Sequence, residues 1–176
     1  MSITDLQIVN DEVLATEHFL LVGECNLNTS GEIMDALKFS TLSRLLTQHG
    51  EDLQFKAESL FERVYNYWSK SQVLNSQIKF SKTADGLEIV IPQCDFHCFG
   101  ESKIKFFDSK PVNEITFFTK ENDKKLPFAV FRINQDNELS IPGNAETPIV
   151  DLDYARSVEE YFMNELILAA SKARLV

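Results

Sequence analysis

The chain has 176 residues, enough for one domain, and its 44% hydrophobic and 25% charged residues are typical of a globular protein. Its formal net charge of −10 disfavours binding to nucleic acids and to anionic membranes, because such a surface repels phosphate. The 3 cysteines, an odd number, together with a start that lacks a basic segment before an apolar run, predict a cytoplasmic protein with free thiols. We therefore expect neither a nucleic-acid partner nor a membrane partner.

The part of the chain before about residue 75 is predicted to be mainly helical. Residues 3–25 are ambiguous: they could form a short helix followed by a strand, but short apolar runs do not distinguish a helix from a strand. A helix is predicted over residues 29–50, where Thr29 and Glu32 have the spacing of a capping box and a glycine stands at the end. A second helix is predicted over residues 51–71, because its apolar residues recur at a spacing of three and four.

From about residue 77 the apolar period changes from 3.6 to 2, which predicts antiparallel strands. Asp85-Gly86 is a tight-turn signal, and the later connectors are short and polar. We predict a meander of five or six strands over residues 77–141, with one strand ending at Gly100. An amphipathic helix over residues 153–172 is predicted to pack on this sheet. The expected fold is therefore α+β, in a single domain that spans residues 1–176.

Nine of the 14 phenylalanines lie within residues 80–131, and four of them form two adjacent pairs. Neighbouring residues on a strand point to opposite faces, so Phe106-Phe107 and Phe117-Phe118 place large rings on both sides of the sheet. Both faces then need shielding from water. Three alternatives follow: the helices shield both faces, another protein chain shields one face, or the sheet curls around an apolar cavity.

Motifs that indicate chemistry are scarce in this sequence. Cys94, His97 and Cys98 are spaced like metal ligands, but a strand would point His97 away from both cysteines, so we predict no metal site. We predict no cofactor and no catalytic residue, because no glycine-rich phosphate loop and no recognisable nucleophile setting is present. In the alternative of an enzyme or ligand-binding protein with an apolar cavity between sheet and helices, His97 or His18 would be the acid–base group.

The sequence favours a non-enzymatic protein-binding module: an adaptor, chaperone, inhibitor or immunity-type protein with an acidic surface and an aromatic patch. The expected partner is another protein, for which a basic surface would suit the negative charge, or a second copy of the chain. Which ring of each phenylalanine pair faces outward is left open. Aromatic residues dominate binding hot spots, and the predicted anchors are Tyr65, Tyr67, Trp68, Phe107 and Phe118.

Overall fold

A curled antiparallel sheet of seven strands forms the centre of the described structure, and its strands follow one another in chain order. The structure is a computed structural model that describes residues 38–71, 76–83, 86–143 and 148–176. The strands are β1 (Lys79–Thr83), β2 (Gly86–Ile91), β3 (Phe96–Phe107), β4 (Lys110–Glu121), β5 (Lys124–Ile133), β6 (Glu138–Ser140) and β7 (Val150–Asp151). The predicted meander is confirmed, with more strands than expected and with its last strand beyond residue 141.

Two-residue turns join the long strands β3, β4 and β5. Asp108 and Ser109 in the first turn, and Asn122 and Asp123 in the second, all have positive φ. A type I′ turn requires this conformation at both central positions, and aspartate and asparagine tolerate it better than most residues do. These turns fix the cross-strand register and so decide which side chains share a face.

Two helices of the described residues, α1 (Phe39–Ser69) and α2 (Val158–Lys172), pack on the same face of the sheet. The ring of Phe61 on α1 and that of Phe162 on α2 both contact Phe117 of β4, with centroid separations of 6.5 and 5.7 Å. We call this covered side the inner face. Neither described helix combines the length and the apolar character needed to cross a membrane. The α+β fold predicted from the sequence is confirmed.

The opposite side of the sheet is the outer face. Side chains alternate along each strand, and partners in the ladder lie on the same side, so the register assigns this face directly. Its members on the three long strands are His97, Phe99, Glu101, Lys103, Lys105 and Phe107 on β3, Lys110, Val112, Glu114, Thr116, Phe118 and Lys120 on β4, and Lys125, Pro127, Val130 and Arg132 on β5.

Two predicted breaks at glycines are wrong. Helix α1 runs without interruption through Gly50, which is buried, and a Cβ there would lie 3.7 Å from the side chain of Ile104. Packing against the sheet outweighs the cost of about 1 kcal/mol that glycine adds to a helix. Strand β3 likewise continues through Gly100, whose position opposite Phe117 leaves room for that ring. The capping box at Thr29, like residues 3–25, precedes the part of the chain that the structure describes.

The C-terminal helix begins at Val158, later than the predicted position near residue 153. The reason is a turn centred on Asp151, whose Oδ1 accepts hydrogen bonds from the backbone N–H groups of Asp153 at 2.8 Å and Tyr154 at 3.1 Å. Such a turn, in which the aspartate side chain mimics a backbone carbonyl, competes with helix formation. Asp151 therefore closes the turn after β7 and does not cap α2.

Large aromatic rings fill the space between the inner face and the helices. Phe117, Phe131 and Phe162 are almost completely buried, and their ring centroids lie 4.5 to 6.2 Å apart. Asn113 is also buried, and its Nδ2 donates a hydrogen bond of 3.1 Å to the carbonyl oxygen of Leu53 on α1. This bond and the ring cluster fix the helices over β4 and β5.

Candidate functional site

Phenylalanine rings lie on both faces of the sheet, as the adjacent pairs in the sequence predict. Phe117 is buried under the helices, whereas Phe118 lies on the outer face and stacks on Phe99 with a centroid separation of 5.7 Å. Phe107 lies on the outer face as well, and the guanidinium of Arg132 is 3.4 Å from its ring centroid. Since both described helices lie on the inner face, the alternative in which the helices shield both faces is wrong for the described residues.

Among the described residues, cationic side chains cover the rings of the outer face. The ammonium group of Lys120 lies 4.2 Å from the centroid of Phe99, and that of Lys125 lies 4.5 Å from the centroid of Phe118. A cation above a ring contributes about 0.5–1 kcal/mol at an exposed site, and the aliphatic part of the lysine excludes water from the ring. Phe118 is consequently only 3% exposed.

Glu114 holds two cations near the middle of this face. Its carboxylate accepts hydrogen bonds from Lys105 Nζ at 2.5 Å and from Arg132 Nε at 3.0 Å, and the residue is buried. Burial alone would raise the pKa of Glu114. The hydrogen bonds and charges of Lys105 and Arg132 together lower it by more than burial raises it, so the pKa lies below its ordinary value. Glu114 therefore remains ionised near neutral pH and fixes the positions of both partners.

Glu101 holds a second pair of cations. Lys125 Nζ donates a hydrogen bond of 2.5 Å to its carboxylate, and Lys103 Nζ lies 3.9 Å from it. Cations therefore outnumber carboxylates in this part of the outer face, although the whole chain carries −10. We call the five cations the cationic cluster; its members are Lys103, Lys105, Lys120, Lys125 and Arg132.

A shallow depression of about 340 Å³ opens within the cationic cluster. Thr116, Phe118 and Pro127 contribute to its lining, together with Lys103, Lys105, Lys125 and the two glutamates. The three lysine side chains are half-exposed or more, at 72%, 51% and 51% in that order. The site therefore combines an apolar patch with ammonium groups that still contact solvent.

The structure divides the predicted anchors between two regions and does not bring them together. Two of them lie on the outer face, and three lie near the end of α1, the helix that covers the inner face. The first two are Phe107 and Phe118, and the other three are Tyr65, Tyr67 and Trp68.

The three aromatic residues on α1 take part in packing within the chain. Tyr67 donates a short hydrogen bond to Glu160 of α2, which raises the pKa of the tyrosine, and its ring contacts Trp68 at a centroid separation of 5.2 Å. The ammonium group of Lys82 lies 5.4 Å from the centroid of Tyr65. These contacts join α1 to α2 and to β1, so these rings already have structural partners.

His97 and Cys98 point to opposite faces, as predicted for neighbours on a strand. His97 is exposed on the outer face, with its Nε2 at 2.7 Å from the carboxylate of Glu88. Cys98 is buried among the core residues, and burial raises the pKa of its thiol to about 12. A thiol with this pKa is protonated near neutral pH and is a poor nucleophile. In the described part of the chain no three His, Cys, Asp or Glu residues are grouped to hold a metal ion.

The alternative of a ligand cavity between sheet and helices finds little support in the geometry. His97 points away from that space, and His18 precedes the first described residue. A depression of about 490 Å³ does lie beside α2 and β5, lined in part by Phe128 and Leu168, but it opens to solvent. The space under the helices is occupied by the ring cluster.

Sequence reasoning missed the cations that cover the outer rings. Part of the cationic cluster has a signal in the sequence, because Lys103 and Lys105 share with Phe99 and Phe107 the odd-numbered positions of one strand. The three cations over the rings, Lys120, Lys125 and Arg132, can be assigned to that face only once the register of β4 and β5 is known. No protein-family model, no curated protein and no solved structure matches the chain.

Proposed function

We propose that this chain is a non-enzymatic protein-binding module that contacts another protein through the outer face of its sheet. The supporting observation is a face that carries Phe99, Phe107 and Phe118 and over which no helix lies in the described residues. Lys120 and Lys125 lie over Phe99 and Phe118, and their surface contacts are weak enough for a partner to displace these lysines and contact the two rings. Phenylalanine and arginine are both enriched in protein interfaces.

The titratable groups that the structure describes support a role without catalysis. Glu114 is neutralised by two cations, and its low pKa makes it unsuitable for proton transfer near neutral pH. His97 faces Glu88, while the neighbouring thiol of Cys98 lies on the opposite face and stays protonated. A reducing compartment such as the cytoplasm suits the free thiols, and we include this location in the proposal.

The acidic surface and the aromatic patch expected from the sequence do not coincide on the sheet. The rings of the outer face are bordered by the cationic cluster, so a partner with a basic surface would be repelled there. The same repulsion disfavours a dimer in which two outer faces meet, because each would bring an excess of positive charge. We therefore propose a different protein as the partner.

Capture of partners with matched variants tests this function. Tagged wild-type protein would be compared with an outer-face variant, Lys103→Glu/Lys125→Glu, and with a control variant, Lys38→Glu/Lys70→Glu. Both variants change the net charge equally, and the control lysines are exposed residues next to the two ends of α1. We expect a stoichiometric companion to be retained by the wild type and the control variant and lost by the outer-face variant. Equal capture by all three proteins, or no companion for the wild type, would contradict the proposal.

A further inference from the structure

We infer that the partner presents an acidic peptide segment in which carboxylates flank an apolar side chain. This inference rests on the proposed function and specifies the chemistry of the partner at the same site. The depression on the outer face has Phe118 and Pro127 in its lining and can take an apolar group. The ammonium groups of Lys103 and Lys125 lie next to it and can bind the flanking carboxylates.

The lysines of this site have hydrogen-bonding capacity left for a ligand. An ammonium group carries three donors, and the pair of Lys125 with Glu101 uses one of them. Lys103 is 72% exposed and lies 3.9 Å from Glu101, beyond ordinary hydrogen-bond distance. A peptide carboxylate can therefore bind both lysines without displacing Glu101.

Local charge, and not the charge of the whole chain, governs what approaches this face. The chain carries −10, but fields in physiological salt decay over a Debye length of about 8 Å. Near the site, the five positive charges of the cationic cluster exceed the two negative charges of Glu101 and Glu114. An acidic segment is therefore attracted at short range, and the remaining acidic surface favours partners whose negative charge is confined to one segment.

A single-stranded nucleic acid fits the same face less well. Each nucleotide adds a phosphate, so a strand extends its negative charge beyond the cationic cluster onto a chain whose net charge is −10. The carboxylates of Glu101 and Glu114 would also repel closely spaced phosphates. Separate carboxylates on a peptide can be positioned to avoid them.

Selection from a random peptide library displayed on phage tests the inference on the full chain. Peptides enriched on the wild-type protein are expected to be net acidic and to contain a large apolar residue. Their affinity, measured by fluorescence anisotropy, should fall at least about tenfold in the Lys103→Glu/Lys125→Glu variant and stay unchanged in Lys38→Glu/Lys70→Glu. It should also weaken as sodium chloride is raised, because the contacts are ionic.

The other outcomes separate the inference from the proposed function. Enriched peptides that are neutral or basic but lose affinity in the outer-face variant would overturn the acidic segment and leave the protein-binding face intact. Peptides that bind all variants equally would overturn both, and so would a single-stranded DNA probe that binds the outer face more tightly than any peptide. If the selection enriches no peptide at all, this would count against an acidic segment as the ligand. A Lys103→Gln/Lys125→Gln variant, which removes the charges without reversing them, replaces the charge-reversal variant if that protein does not fold.

Discussion

Replacing Phe117 or Phe118 with alanine should destabilise the protein by clearly different amounts, although the two rings are adjacent and equally hidden from water. Phe117 is 0% exposed and Phe118 is 3% exposed. Their surroundings differ in kind. Phe117 contacts the rings of Phe61, Phe131 and Phe162, which come from β5 and from both helices. It is therefore enclosed by two packed layers.

The expected loss of stability in each variant depends on whether a closed cavity remains where the ring was. Removal of Phe117 creates a cavity between the sheet and helices that cannot collapse freely, which costs about 3–5 kcal/mol. Removal of Phe118 loses a stacked ring pair with Phe99, worth about 0.5–1.5 kcal/mol, and a cation–π contact with Lys125, worth about 0.5–1 kcal/mol. The burial free energy of the ring, about 1.5–3 kcal/mol when complete, is lost in part, because the long lysine side chains can fold over the alanine. Water can enter the open depression, so no cavity term is added, and we expect a total loss of about 2–3 kcal/mol.

Urea unfolding followed by circular dichroism measures both losses, and equal m-values would show that the two variants unfold in the same way. We expect Phe117→Ala to unfold at a clearly lower urea concentration than Phe118→Ala. Equal losses, or a larger loss for Phe118→Ala, would refute the reasoning that the described helices enclose Phe117 but not Phe118.

Two further substitutions test the packing and the ion pairs of the sheet. Gly100→Ala would place a Cβ 2.6 Å from the enclosed ring of Phe117, so we expect a loss of about 1–3 kcal/mol in the same urea experiment; a neutral effect would mean that the ring can shift. Glu114→Gln removes charged hydrogen bonds to Lys105 and Arg132 and should cost about 1.5–3 kcal/mol at neutral pH. Because the pKa of Glu114 is lowered from 4.5 in the folded protein, its contribution is present above that pH and is lost as the pH falls. The difference between the variant and the wild type should therefore shrink in acid, and a constant difference at every pH would be inconsistent with this ion-pair network.

The alternation of side chains in the sequence was enough to predict the sheet and the rings on both of its faces. Phe117-Phe118 lies in a strand whichever neighbours pair with it, since period 2 is a local property. The breaks expected at Gly50 and Gly100 failed because a glycine is a local signal, whereas the contacts of these two residues come from distant parts of the chain. Tertiary contacts decided both positions.

The composition of the candidate site could be predicted only in part. Phe107 and Phe118 were named as anchors from the sequence, but the face they occupy depends on which side the helices cover, which is a long-range property. Arg132 and Lys125 reach those rings from β5 because the turns fix the register across three strands. A single strand pattern does not contain that information.

Lysine labelling by an acetylating reagent, read by mass spectrometry, tests the central claim most directly. In the purified full chain we expect Lys103 and Lys125 to be labelled at rates close to that of the exposed Lys70, and to be protected only when the captured protein partner is added. Protection of Lys103 and Lys125 in the isolated chain, or unchanged labelling in the complex, would contradict the proposal that the outer face, over which no described helix lies, is a docking surface.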